Sequence, residues 1–92
     1  MKIKSQYVLR KVLNNWMVLP VGEDTKENTL LKLNDSGAML WKMLEQGCER
    51  QALVDYLMEN YAVSDQQAAS DVDEFLSMLK QTDCLEEKDE EL

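Results

Sequence analysis

An α+β fold, three short antiparallel strands followed by three helices, is what this 92-residue sequence predicts. Two observations carry that prediction. Ahead of residue 34, β-branched and aromatic residues cluster with a period of two; beyond it, apolar residues recur near 3.6. A third observation, the lack of internal repeats, low-complexity runs or linkers, keeps both halves in one unit. A chain of this length buries only about 60 to 65% of its unfolded surface, which leaves room for one core and no deep, dry active site.

Residues 7–12 (YVLRKV) and 16–21 (WMVLPV) read as the first two strands, joined by Asn14-Asn15 as a tight turn. Pro20 cannot donate to a ladder, so the second strand ends or bulges there unless that side faces solvent. The polar run GEDTKEN (22–28) is a loop. TLLKL (29–33) is a third strand in which Leu31 and Leu33 alternate with Lys32. Strands met in this order form a meander, and its last strand has an unpaired edge guarded only by Lys32.

Asn34, Asp35 and Ser36 offer side-chain oxygens to the orphan N–H groups of a first helix, whose apolar face is Leu40, Trp41 and Leu44 and whose left-handed stop is Gly47. Gly37, early in that helix, lets backbone and sheet approach closely. Trp41 reads as core. A second helix over residues 50–61 shows Leu53, Val54, Leu57 and Tyr61 at helical spacing. Ser64 and Gln67 form a capping-box pair ahead of the longest helix, which carries Ala68, Val72, Phe75, Leu76 and Leu79 and ends near Gln81, with Leu85 folding back as a plug. Strands first and helices after are the parts of a winged helix-turn-helix. The domain spans residues 1–85, and residues 86–92 form an acidic C-terminal tail that frays into solvent.

Composition excludes several function classes. With no histidine, the commonest general base and metal ligand is missing, and Cys48 and Cys84 lack CxxC spacing, so neither a metal site nor a catalytic residue is expected. No cofactor is expected either. The start MKIKSQ reads as no signal peptide, which places the chain in the cytoplasm with both cysteines as buried or idle thiols. No apolar run is long enough to enter a membrane. Net charge is −8 and lopsided: residues 1–46 hold seven Lys/Arg against five Asp/Glu, residues 47–92 three against thirteen. Such a surface repels phosphate, so nucleic acid is not an expected partner.

The third helix is apolar over a wider arc than covering a core requires. Ala68, Val72, Phe75, Leu76 and Leu79 already fill a stripe about 100° wide, and Met78 projects beside Phe75 on one flank with Asp71 close by. Met78 reads either as a loosely packed surface methionine or as one wall of a groove, where a flexible thioether accepts varied apolar partners. An extended peptide could add to the edge strand and sink alternate side chains against that wall. Some four backbone bonds at about 1 kcal/mol each and two or three apolar anchors at about 1.5 to 3 kcal/mol each would sum to ~10 kcal/mol. Ordering the peptide would take back roughly 2 to 5 kcal/mol, leaving micromolar affinity.

Leu33-Asn34-Asp35-Ser36-Gly37, then Leu40-Trp41 and Leu44, with Tyr61 and Val63 ahead of Asp71-Val72 and Phe75-Leu76, resembles the PqqD family over residues 31–85. These proteins, also called RiPP recognition elements, are similar in being small winged-helix domains without catalysis of their own. The resemblance implies that the leader of a ribosomally made precursor docks along the third strand and against the third helix, and is presented there to a modifying enzyme. That enzyme is a radical SAM protein in the pyrroloquinoline quinone pathway, and a leader peptidase is served in lasso-peptide pathways. Carried onto this chain, the strand is Thr29, Leu30, Leu31, Lys32 and Leu33, and the helix surface is Asp71, Val72, Phe75, Met78 and Leu79.

Three rival readings stand beside this one. A DNA-binding winged-helix regulator would read DNA with its third helix, yet residues 64–81 hold Asp65, Asp71, Asp73 and Glu74 against Lys80 alone. An enzyme would need an acid pair such as Asp71 with Glu74 or Asp73 with Glu74, which reads more simply as a solvated helix face. A docking adaptor for a modifying enzyme or leader peptidase could use the acidic C-terminal half or the loop 22–28. A homodimer through the uncovered edge also stays open.

Overall fold

The computed structural model describes residues 1–21 and 31–86. Its elements are β1 (Lys2–Ile3), β2 (Tyr7–Val12), β3 (Asn15–Pro20), β4 (Leu31–Leu33), α1 (Asp35–Gln46), α2 (Arg50–Asn60), α3 (Asp65–Gln81) and β5 (Leu85–Glu86). β2, β3 and β4 form the expected antiparallel meander, followed by the three helices of a winged helix. Thr29, Leu30 and the loop 22–28 lie outside the described residues, as do residues 87–92.

The hairpin differs from expectation at its turn. Val12 pairs with Asn15, so the turn residues are Leu13 (φ 51) and Asn14 (φ 72) rather than Asn14-Asn15. Two successive positive φ values are what a two-residue hairpin loop needs to match strand twist, and Asn14 meets that need easily. A leucine there is an outlier, and Leu13 is 89% exposed besides. Pro20 closes β3 opposite Tyr7, and the next residue, Val21, donates its N–H to the Gln6 carbonyl at 2.7 Å.

Val18, Leu33, Trp41, Leu44, Leu53, Val54, Val72 and Leu79 meet in one core between sheet and helices. Trp16 ties the sheet to α1: its indole Nε1 donates to Asp35 Oδ1 at 3.0 Å, and the Lys42 ammonium lies 4.7 Å from its ring centre. α1 starts as the sequence predicts, with Asn34 Oδ1 accepting from the Gly37 N–H at 2.8 Å. Its stop, Gly47, has φ 90 and ψ 123, a conformation that favours glycine though not the left-handed helical basin. At α3 only half of the capping box forms. Ser64 Oγ accepts from the Gln67 N–H, while the Gln67 side chain turns down the helix to Asp71 Oδ1 at 2.8 Å.

One feature has no local signature in the sequence. β1 and β5 form a separate two-stranded ribbon, Lys2 against Glu86 and Ile3 against Leu85. Leu85 is buried, so the plug is present, but it is held as a strand, and Glu86, assigned above to the tail, is its partner residue. Around the ribbon, Met1 exchanges two bonds with Cys48, Lys4 N–H donates to the Cys84 carbonyl at 2.9 Å, and Lys4 Nζ reaches Asp83 at 2.7 Å. Both cysteines are free, and burial pushes each thiol above its usual pKa.

Candidate functional site

A cleft of about 580 Å³ opens between β4 and α3. Alternation along the strands fixes the chemistry of its rim. Val12 and Asn15 close a two-residue hairpin as a hydrogen-bonded pair, so odd-numbered residues of β3 turn their N–H and C=O toward β2 while Trp16 and Val18 turn theirs toward β4. Their partners there, Leu33 and Leu31, face β3 in return. Lys32 therefore points its backbone N–H and C=O away from β3, and no strand among the described residues takes them.

The opposite wall is α3. Asp71, Glu74, Phe75 and Met78 line it at spacings of three and four residues, which puts them on one helix face. Projected at about 100° per residue, that face lies roughly a quarter-turn from the core stripe, with Phe75 on the boundary between them. The accessibilities follow this geometry: Phe75 is 8% exposed and Met78 half-buried, while Val72 and Leu79 are completely enclosed and lie in the core, away from the cleft. Leu31 packs its half-buried side chain against the core and does not line the cleft, whereas Lys32 and Leu33 do.

Sequence reasoning missed the floor. Gly37 and Leu40 of α1, Leu57 of α2, and Tyr61 and Val63 of the α2–α3 connection all line the cleft. Leu40, Leu57 and Tyr61 show the same helical spacing as core residues, and only the mutual placement of three helices exposes one side of each to the cleft. Gly37 had the clearest signal, a glycine where a helix former would do better. A Cβ on it would lie 3.6 Å from the Phe75 ring, 3.5 Å from Leu33 Cβ and 3.1 Å from the capping Asn34 oxygen, so its hydrogen keeps the hollow open. Tyr61, 41% exposed, stands edge-on to Tyr56 with ring centres 6.4 Å apart.

The charges sit unevenly. Asp71 and Glu74 of α3 and Lys32 of β4 all line the cleft, and Glu74 has no partner among the described residues. On the far side of α3, Asp73 leaves the cleft for a two-bond pair with Arg50, Oδ1 to Nε at 2.7 Å and Oδ2 to Nη2 at 3.1 Å, which holds its carboxyl below the usual range. The paired acids Asp73 and Glu74 thus point into different surroundings. Among the described residues, no three His, Cys, Asp or Glu side chains gather in a way that could hold a metal ion. No described helix is long and apolar enough to cross a membrane.

A family model described as coenzyme PQQ synthesis protein D (PqqD) matches residues 16–85, from β3 through β4 and the three helices to Leu85. Comparison with curated proteins returned no match. Among solved structures, the chain is similar to TbiB1, determined in complex with the TbiA(beta) leader peptide. The TM-score is 0.77 over 98% of this chain and 100% of that one, at 23% identity, a level that establishes likeness of fold.

Proposed function

This chain belongs to the PqqD family, and from that membership we propose that it is a non-catalytic module that captures the leader of a ribosomally made precursor peptide and presents it to a modifying enzyme. The leader adds as a strand to the outer side of β4, bonding to the Lys32 N–H and C=O, and sets alternate side chains into the cleft against Phe75 and Met78. Of the strand residues singled out from the sequence, Lys32 supplies the rim and Leu33 the floor; Leu31 holds β4 to β3. Val72 and Leu79 back the wall from inside the core. The modifying enzyme is of the radical SAM class, with a leader peptidase as the other candidate.

One observation carries this reading: a strand rim that no strand among the described residues takes and an apolar helical wall bound the same cleft. The likeness to a chain solved with a leader peptide in place supports it further. A polyanion fits poorly, because Asp71 and Glu74 occupy the face that a winged helix would turn to DNA. Calorimetry with the leader of a precursor encoded beside this chain should give a dissociation constant in the range of about 1 to 200 μM. Absence of heat up to about 1 mM leader would remove the proposal.

A further inference from the structure

The uneven charge of the cleft says what kind of leader it takes. Asp71 lies one turn from Phe75, a rise of about 6 Å along α3, and residues two apart on an extended chain are separated by nearly the same distance, about 6.6 Å. A guest strand running beside the helix therefore sets every second side chain opposite successive turns. One position meets carboxylates and the next meets an apolar hollow.

Gly37 makes that hollow. Because it has no Cβ, the space over the start of α1 stays open between Phe75 and Met78 on one side and Leu40 below. It suits a bulky apolar side chain. One turn from Phe75, Asp71 has one oxygen engaged by Gln67, and neither its other oxygen nor Glu74, one turn from Met78, has a partner among the described residues. A guest carboxylate at that position would meet two like charges, and a guest ammonium or guanidinium would be attracted by both.

We infer that the leader this cleft selects carries a basic residue two positions from a bulky apolar anchor, the cation beside Asp71 and Glu74 and the anchor over Gly37. The inference rests on the leader-binding reading above and deepens it from a general peptide slot to a signature that can be searched for in precursor sequences.

The test uses the full chain and fluorescein-labelled extended peptides, each with one Phe anchor in a Thr/Val background and with Lys, Gln or Glu two residues to either side of it. Anisotropy should rank Lys above Gln above Glu on one side of the anchor, with about three- to fivefold between Lys and Gln. The side on which the ranking appears gives the direction of the guest strand. The Lys preference should shrink as salt rises from about 0.1 to 1 M, where the screening length falls from about 10 to 3 Å. It should vanish in Asp71→Asn/Glu74→Gln, two exposed positions whose substitution leaves the circular dichroism spectrum and melting temperature unchanged. Equal binding of Lys, Gln and Glu peptides, or a Lys preference that survives the double substitution, overturns the signature while leaving peptide capture standing. Failure of every peptide to bind overturns both.

Discussion

Two strand pairs of similar size meet opposite fates in this molecule. In the β1–β5 ribbon the ladder continues past the strand ends through the Lys4 N–H to the Cys84 carbonyl, and Met1 ties the flank of β1 to Cys48 with two bonds. β4, only one residue longer, is bonded on one side and turns the Lys32 backbone outward beside a hollow. An unpaired rim is a hazard that most sheets cover. Here Met1 ties the ribbon to Cys48, whereas among the described residues no strand takes the outer side of β4, so the contrast separates the part that maintains the fold from the part available to a guest.

The strongest break should come on the closed side. Ile3→Ala removes a buried branched side chain from the ribbon and should lower unfolding free energy by about 2 to 5 kcal/mol in urea titration, with leader affinity of the folded fraction unchanged. Next comes a pair of prolines on the open side. Lys32→Pro deletes an N–H that faces outward and should weaken leader binding at least about tenfold with little loss of stability, since proline is tolerated on a strand edge. Leu31→Pro deletes an N–H bonded to β3 and should instead unfold the edge. Reversal of those two outcomes would show that the strand parity is wrong. Met78→Ala should sharpen the contrast more gently, with affinity falling by about three- to tenfold in calorimetry and melting temperature nearly constant, because the side chain is only half-buried.

The smallest effect concerns the side of α3 facing away from the cleft. Arg50 depresses the Asp73 pKa, so this pair stabilises the folded chain above the unfolded carboxyl value and ceases to do so as pH falls through the lower, folded one. In Asp73→Asn the acid limb of the stability profile should flatten slightly, and leader affinity should not change at any pH.

How far the sequence foretold these regions follows from where their signals lie. α1 was readable end to end, because a capping Asn34, the apolar face Leu40, Trp41 and Leu44, and the terminal Gly47 are all local. The hairpin was readable but shifted by one residue, since a turn rule that favours asparagine does not anticipate Leu13 at positive φ. The ribbon was invisible: two-residue strands more than eighty positions apart leave no period to detect. In the cleft, Asp71, Phe75 and Met78 emerge from helical spacing. That spacing also nominates Val72 and Leu79, because a projection shows how wide a stripe is but not which of its borders meets solvent.

The pairing of Lys2 with Glu86 has a consequence for how the molecule assembles. Joining positions that far apart costs roughly 4 kcal/mol in loop-closure entropy, set against only a handful of new contacts. The ribbon must therefore form late, after the helices have brought both ends together, and it is absent from a chain still emerging from the ribosome. Being the last part to form, it should also be the first to open, so the amide hydrogen of Lys4, bonded to the Cys84 carbonyl, should exchange through local opening ahead of the core amides.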